Sequence, residues 1–303
     1  MPGLVEPDVP RQLHVIVVGA GLCGLAMGIS LSLAGHRVSI YEAHDKVDEI
    51  GAGLQSSPNG VRIYESWGMT EHMKTIATEP ELLQISRFDG RLLAQRKHYD
   101  VEVNKKYDLP LWTLHRVDLQ QALFKRAKEL GAEIIYNAKV VDINCDETYI
   151  ELAGGDERHA DMIVVADGVW SKLRSTVLET HVEAQPTGDM AYRLTVDPSA
   201  IEDEGIQEWA SQSRIQLWIG PGSHVIGYPV RAGSRINLVL LAPDNFKGEE
   251  SRIKGCLEEL RMRFDGWDPL YVLESDSIDE CHANATAVST RRWITSRRST
   301  SGA

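Results

Sequence analysis

The chain of 303 residues contains little cysteine and lacks the cysteine and histidine spacings that are typical of metal centres and disulfide frameworks. Its four cysteines are scattered, with no CxxC pair, at Cys23, Cys145, Cys256 and Cys281. This usage favours a reducing compartment and predicts no metal site. The ten histidines show no HExxH or paired spacing, and no GxSxG nucleophile elbow occurs. Zinc hydrolase and serine hydrolase chemistry are therefore not indicated.

Positive charge and long apolar runs are also scarce. The 32 Lys and Arg residues are outnumbered by 44 Asp and Glu residues, which gives a net charge of −12. Such an acidic chain is a poor partner for nucleic acid or for an anionic membrane. The apolar run Leu25–Leu33 is too short to span a bilayer, and the first twelve residues lack the pattern of a secretory signal. We therefore expect a cytoplasmic protein without a membrane span.

The strongest positive signal is a glycine turn between an apolar segment and a helix, Val15 to Gly24, followed by a second strand that ends in Glu42. Gly19 permits a tight turn, Gly21 allows close approach of a pyrophosphate, and Gly24 allows the helix to pack on the strand. The phosphates would lie at the positive end of the helix dipole, and Glu42 would accept hydrogen bonds from ribose hydroxyls. This pattern predicts a Rossmann-like dinucleotide site.

The rest of the sequence predicts a mixture of helices and strands. The expected helices are Pro58–Trp67, Asp118–Leu130 with Asp118 at a capping position, and Glu250–Phe264. The expected strands include a hairpin within 82–95, a fully buried strand Met162–Ala166, and an antiparallel sheet of Arg214–Ile219, Val225–Val230 and Ile236–Ala242. No internal repeat is present.

Two further segments suggest ligand contacts. Asp167 begins the motif DGxxSxxR directly after an apolar strand, where open α/β sheets bind ligands. The alternative is a plain strand-to-helix junction with Ser171 as the cap. Arg116 begins a helix, from which an arginine reaches a pyrophosphate. The alternative for Arg116 is an ordinary surface arginine.

Taken in order, GAGLCG with Glu42, the arginine of LHRVDLQQAL and the motif at Asp167–Arg174 resemble the single-component FAD-dependent aromatic monooxygenases. This group includes salicylate hydroxylase and p-hydroxybenzoate hydroxylase. The resemblance implies FAD as cofactor, with contacts at Glu42, Gly53, Arg116 and Asp167. It also implies that NAD(P)H and O₂ are consumed to hydroxylate or epoxidise an aromatic, phenolic or polyketide-like molecule, in secondary metabolism or aromatic catabolism.

Two residues resemble the catalytic pair of that family. Arg193 would hold an acidic or phenolate substrate, and Tyr228 would hydrogen-bond the substrate or tune its ionisation. The alternative is a strand arginine that faces solvent and a tyrosine that fills the core. The sequence does not distinguish NADH from NADPH and does not identify the substrate. It also leaves open whether the protein forms a homodimer.

The resemblance implies an α/β fold, with a Rossmann-like FAD-binding domain of the glutathione-reductase type and a substrate domain built on an antiparallel sheet. The expected divisions are a disordered segment 1–12, an FAD domain 13–180, a substrate domain 181–280 joined by the hairpin 82–95, and a disordered tail 281–303. The second flavin motif of the family, a strand ending in Gly-Asp, is not found, so the C-terminal part of the FAD domain is expected to be missing. An inactive remnant that acts as a binding protein and an NAD-dependent dehydrogenase remain alternatives.

Overall fold

A computed structural model describes residues 11–46, 52–182, 185–201, 203–244, 252–254, 257–268 and 286–292. The strands, in chain order, are β1 His14–Val18, β2 Arg37–Tyr41, β3 Gly53–Ser56, β4 Leu82–Arg87, β5 Leu92–Lys97, β6 Trp112–His115, β7 Glu133–Ile135, β8 Val140–Asn144, β9 Tyr149–Leu152, β10 Glu157–His159, β11 Met162–Val165, β12 Gln185–Val196, β13 Arg214–Gly220, β14 Ser223–Val230, β15 Arg235–Pro243, β16 Arg252–Lys254 and β17 Thr286–Arg292. The α-helices are α1 Leu22–Leu33, α2 Pro58–Ser66, α3 Thr70–Ile76, α4 Tyr99–Tyr107, α5 Arg116–Glu129, α6 Arg174–Val177, α7 Glu204–Ser211 and α8 Leu257–Arg263. A 3₁₀ turn covers Pro198–Ala200.

The chain divides into two compact units, which we call unit 1 and unit 2. Unit 1 consists of Met1–Asp48 and Gln120–Val182, and unit 2 consists of Glu49–Leu119 and Glu183–Ala303. The expected α/β fold, with a Rossmann-like part and an antiparallel-sheet part, is confirmed. The domain boundaries drawn from the sequence stay a prediction.

Unit 1 is built on a parallel sheet in the order β11-β1-β2-β7. Glycines let α1 lie close to this sheet, since a Cβ on Gly28 would come within 2.7 Å of Ile40 Cδ1. On the other face, Ile16 and Val18 of β1 share a core with Ile143 and Ile150 of the three-stranded sheet β10-β9-β8. The central strand β1 is therefore covered on both faces, which explains its continuous apolar run.

Unit 2 is built on a large sheet in the order β16-β17-β12-β15-β14-β13-β4-β5. Its pairings are antiparallel except that β13 runs parallel to β4. One face carries a core in which Tyr192, Leu238 and Trp218 pack with Trp209 of α7 and Phe264 of α8. The expected antiparallel strands are confirmed as β13, β14 and β15, and the expected hairpin as β4 and β5.

Three predicted elements need correction. The strand at Met162–Val165 is only partly buried, because β11 lies at the edge of its sheet in the described residues. Helix α5 begins at Arg116, so Asp118 lies inside the first turn and is not its cap. The predicted helix Glu250–Phe264 is shorter, since Arg252–Lys254 pairs as a strand and α8 starts at Leu257.

The expectation of disorder in the tail 281–303 fails for β17, Thr286–Arg292. This strand pairs with β12 and β16, because threonine and valine favour strands and β12 offers backbone groups along its length. The rest of that tail and residues 1–10 lie outside the described residues. Within the described ranges, no helix is long and apolar enough to cross a membrane.

Candidate functional site

The turn between β1 and α1 can be made only by glycine at two positions. Gly19 has a φ of 101°, and a Cβ there would lie 2.6 Å from the Ala166 carbonyl oxygen. A Cβ on Gly24 would lie 1.9 Å from the Gly19 carbonyl oxygen and 3.4 Å from Val17 Cγ1. The structural roles predicted for Gly19 and Gly24, a tight turn and close helix packing, are therefore seen directly.

Gly21 has a different role, because nothing lies within 4 Å of the position a Cβ would occupy. It is the N-cap of α1, makes no side-chain cap, and is followed by a first turn without acidic residues. The space beside Gly21, at the positive end of the α1 dipole, is therefore free of protein atoms. Such a cradle fits a pyrophosphate.

Glu42 follows β2 and holds the glycine turn through its carboxylate. Its Oε2 accepts a hydrogen bond from the Ala20 N–H at 2.8 Å, and its Oε1 accepts one from the His44 N–H at 3.0 Å. Each carboxylate oxygen has a second lone pair that is able to accept a ribose hydroxyl. Glu42 therefore stabilises the turn in addition to the ribose contact predicted for it.

Two further residues of unit 1 were missed by sequence reasoning. Gln120 is 3% exposed and donates from Nε2 to the Ala20 carbonyl oxygen at 3.3 Å, while its Oε1 has no partner in the described structure. Burial and, after it, the charge of the Glu42 carboxylate raise the pKa of the Tyr136 hydroxyl. No sequence motif marks either residue, because both act through contacts distant in the chain.

The segment after β11 is a loop whose own residues hydrogen-bond to one another. Asp167 Oδ2 accepts a hydrogen bond from the Lys172 N–H at 3.2 Å, and Ser171 Oγ accepts one from the Arg174 N–H at 3.1 Å. The Arg174 guanidinium donates to the carbonyl oxygens of Gly168 at 3.2 Å and Val169 at 3.0 Å. These bonds hold the junction between β11 and α6, but the N-cap of α6 is Leu173 and not Ser171, as the alternative had it. A cofactor role for Asp167 stays a prediction.

In unit 2, Gly53 begins β3 opposite His115 of β6. A Cβ on Gly53 would lie 2.5 Å from Asn237 Cγ and 2.6 Å from Tyr228 Cε2, so only glycine fits between these side chains. The Gly53 N–H donates to Asn237 Oδ1. Gly53 therefore supports the tyrosine and asparagine side chains, and the cofactor contact predicted for it remains untested.

Arg116 starts α5 directly after β6. Its backbone N–H donates to the Ala52 carbonyl oxygen at 2.8 Å, which fixes the start of the helix beside β3. The side chain of Arg116 is exposed. The positive charge of Arg116 lowers the pKa of Arg193.

The sheet of unit 2 places the predicted catalytic pair on one face. Arg193 of β12 pairs with Val239 of β15, and Tyr228 of β14 pairs with Asn237 of β15. Val239 and Asn237 are two residues apart, so all four side chains point to the same side of the pleated sheet. The opposite side of the sheet carries the aromatic core on which α7 and α8 pack. We call the side of Arg193 and Tyr228 the site face.

Burial and charge distinguish the site face from an ordinary sheet surface. Tyr228 is 5% exposed, and burial raises its pKa to about 12, while Arg193 acts in the opposite direction. Burial also lowers the pKa of Arg193, with Tyr228 raising it and Arg116 lowering it. No carboxylate pairs with Arg193 among the described residues. A buried guanidinium on this face, with the positive charge of Arg116 acting on it, favours an anionic ligand.

Together, a parallel sheet with a glycine turn, an acid after the second strand and an antiparallel sheet define a Rossmann-like dinucleotide-binding protein. The FAD binding domain family model matches residues 12–292. The chain belongs to this family, and FAD is the cofactor that the family defines. The match does not favour the alternative of an NAD-dependent dehydrogenase. Among described residues, no cluster suited to a metal ion occurs.

Curated relatives extend the likeness. The FAD-dependent monooxygenase OpS4 of Beauveria bassiana (strain ARSEF 2860) is 37% identical over 275 residues, covering 89% of this chain and 64% of that protein. The 3-hydroxybenzoate 6-hydroxylase of Polaromonas naphthalenivorans (strain CJ2) is 28% identical, covering 86% of this chain and 64% of that protein. The chain thus spans less than two thirds of the length of these relatives.

Solved structures show the same fold. The crystal structure of CtdE in complex with FAD and substrate 4 aligns with a TM-score of 0.78 at 19% identity, covering 91% of this chain and 68% of CtdE. Klebsiella pneumoniae HpxO complexed with FAD and uric acid also gives a TM-score of 0.78, at 20% identity, covering 94% of this chain and 70% of HpxO.

Proposed function

We propose that this protein is an FAD-dependent monooxygenase that hydroxylates or epoxidises an aromatic or phenolic small molecule. Two electrons come from NAD(P)H, one atom of O₂ enters the substrate, and the other leaves as water. FAD, when bound, supplies the electron transfer and the activation of O₂. The observation that carries the proposal is the placement of Arg193 and a buried Tyr228 on one face of the sheet, in a chain of the FAD binding domain family.

Each unit has a defined task in this proposal. The open space at Gly21 and the start of α1 hold the pyrophosphate of FAD, and Glu42 accepts the ribose hydroxyls. Arg116 and Asp167 contact the cofactor, as the family resemblance implies. Because both oxygens of Glu42 already hold backbone N–H groups, the acceptor is positioned before the cofactor arrives.

On the site face, Arg193 binds the carboxylate or phenolate of the substrate. Tyr228 stays neutral at physiological pH, because its pKa is about 12, and donates a hydrogen bond to a substrate oxygen. The neighbouring Ile226 and Val239 pair across β14 and β15 and present aliphatic surface to a ring. These groups orient the ring and exclude water from it.

The substrate class rests on the relatives as well as on the charge of the site face. Proteins similar to this chain are named 3-hydroxybenzoate 6-hydroxylase, salicylate hydroxylase and hispidin-3-hydroxylase. We therefore propose phenols and hydroxybenzoates as first substrates to test, within secondary metabolism or aromatic catabolism. A cytoplasmic location belongs to the same proposal, supported by the free thiols of Cys23 and Cys145. A homodimer stays a prediction.

The test is reconstitution of the full chain with FAD. NADH or NADPH oxidation is followed with and without 3-hydroxybenzoate, salicylate or hispidin, and the product is examined by mass spectrometry under isotopically labelled O₂. Stimulated oxidation with one labelled oxygen in the product supports the proposal. Bound FAD with no product from any of these compounds contradicts it and favours an inactive binding protein.

Arg193→Met and Tyr228→Phe test the roles of the site face. Losing a charged hydrogen bond lowers substrate affinity by about 10- to 100-fold, whereas FAD affinity should stay unchanged. Arg96→Met is the matched control, because Arg96 lies on the outer strand β5 and its side chain is exposed. Equal effects of Arg193→Met and Arg96→Met would refute a specific role for Arg193.

A further inference from the structure

Asn237 is a polar residue of the site face whose side-chain oxygen is hydrogen-bonded and whose side-chain nitrogen is not. It is 0% exposed, and its Oδ1 accepts the Gly53 N–H. Its Nδ2 has no partner in the described structure. A buried amide that leaves both donor hydrogens unused is costly, so its retention requires an acceptor that is not part of these residues.

The orientation of this amide is fixed by chemistry. The Gly53 N–H is a donor only, so the atom of Asn237 that faces it has to be the oxygen. If the NH₂ group and Oδ1 exchanged places, the NH₂ group would face the Gly53 N–H, and two donors would meet without an acceptor. Close packing adds to this restraint, since Asn237 Cγ and Tyr228 Cε2 both lie against Gly53.

The surroundings on the site face limit what the acceptor is. Asn237 pairs with Tyr228 on one side and with Thr195 on the other. The next residue along the same face is the aliphatic Val239, which pairs with Arg193. The Nδ2 donor therefore belongs to the same face as the guanidinium and the buried phenol, and none of the described groups satisfies it.

We propose that Asn237 is a specificity-determining residue that donates from Nδ2 to a phenolic or carbonyl oxygen of the bound aromatic ligand. This inference rests on the proposed function, because it assumes an aromatic ligand at Arg193 and Tyr228. Arg193 takes the anionic group, and Asn237 reads a second oxygen on the ring. A site that hydrogen-bonds a ligand oxygen discriminates strongly against an analogue that lacks it.

The test compares 3-hydroxybenzoate with benzoate, which lacks the ring oxygen, for binding to the full chain in the presence of FAD. Affinities are measured by isothermal titration for the wild type, Asn237→Leu and Asn237→Asp. We expect the wild type to prefer 3-hydroxybenzoate and both variants to lose that preference by about tenfold. Aspartate keeps an acceptor for the Gly53 N–H, whereas leucine removes it.

The ratio of the two affinities separates recognition from structural support. A purely structural role would weaken both ligands equally and leave the ratio unchanged, which would overturn the proposal. Thr195→Val is the control, because Thr195 faces Asn237 from the adjacent strand, and it should keep the wild-type ratio. If FAD affinity falls while the ratio is unchanged, the acceptor lies on the cofactor and the proposal is overturned.

The result stays informative if the variants fold poorly or the protein is inactive. Should neither variant fold, the Asn237 side-chain amide resonance of the wild type has to shift with 3-hydroxybenzoate and not with benzoate. A wild type that binds neither acid overturns the inference. Turnover is measured separately. An inactive chain that shows the expected affinity ratios contradicts the proposed activity only. An active chain whose Asn237 variants keep the wild-type affinity ratio contradicts this inference only.

Discussion

Arg231 and Asp118 form a two-pronged ion pair, with Arg231 Nε 3.0 Å from Asp118 Oδ2 and Arg231 Nη2 3.1 Å from Asp118 Oδ1. The pair joins the turn after β14 to the first turn of α5, and both residues belong to unit 2. Asp118 Oδ1 also lies 3.8 Å from Nδ1 of the buried His115. The start of α5 is therefore anchored by an ion pair that lies beside the buried His115.

A double-mutant cycle of Arg231→Met and Asp118→Ala should measure a coupling of about 0.5–1 kcal/mol in the free energy of unfolding. The value is modest because the side chains are 42% and 23% exposed, and partly exposed pairs are screened by water. Denaturant titration provides the measurement. The Lys74–Glu71 pair, with side chains 56% and 87% exposed, is the control and should couple more weakly. A coupling no larger than that of the control would contradict the anchoring role.

His115 should titrate below its ordinary pKa of 6.5, because burial and then Arg231 lower its pKa more than Asp118 raises it. Asp118→Asn should lower this pKa further, and Arg231→Met should raise it, as followed by NMR titration. In the unfolded chain, His115 takes up its proton near its ordinary pKa of 6.5. The contribution of neutral His115 to the free energy of unfolding is therefore fully present above about pH 6.5 and is lost as the pH falls toward the lower pKa of the folded state. A His115 pKa above 6.5 would contradict this prediction.

Substitutions in the glycine turn should separate folding from cofactor binding. Gly24→Ala should prevent the native turn, because its Cβ would lie 1.9 Å from the Gly19 carbonyl oxygen. Gly21→Ala meets no protein atom within 4 Å and should cost only about 0.5–1 kcal/mol of stability. It should nevertheless weaken FAD by at least about tenfold, because the methyl group occupies the pyrophosphate space. Flavin fluorescence and thermal melts measure the two effects, and unchanged FAD affinity in Gly21→Ala would argue against a cradle there.

Glu42→Gln should destabilise the chain by about 1–3 kcal/mol, because an amide replaces one of two oxygens that accept backbone N–H groups and leaves a donor opposed. The two bonds run from the N–H groups of Ala20 and His44. FAD affinity should fall as well. Denaturant unfolding in the absence of FAD isolates the first effect. Glu71→Gln, at an 87% exposed side chain, should change stability by less than about 0.5 kcal/mol, and a similar loss in both variants would disprove the role of Glu42.

The sequence alone predicted the local elements well where periodicity and turn chemistry act within a few residues. The strand, glycine turn and helix around Gly19–Gly24 were found because each glycine answers a local constraint, namely a positive φ or a close backbone approach. The predicted start of helix α5 was wrong, because the capping pattern at Asp118 looks the same whether the aspartate caps the helix or binds Arg231. Only the contact with a residue distant in the chain distinguishes the two.

By itself, then, the sequence determined the nucleotide-binding turn, the acid at Glu42 and the family. The tertiary structure decided what surrounds Tyr228, because strand order and register bring Arg193, Asn237 and Gly53 together from distant parts of the chain. Asn237 carries no local signal, since an asparagine in an apolar strand acquires meaning only from what lies opposite its amide. Burial likewise raises the pKa of Tyr228, and burial is a property of packing that no single segment encodes.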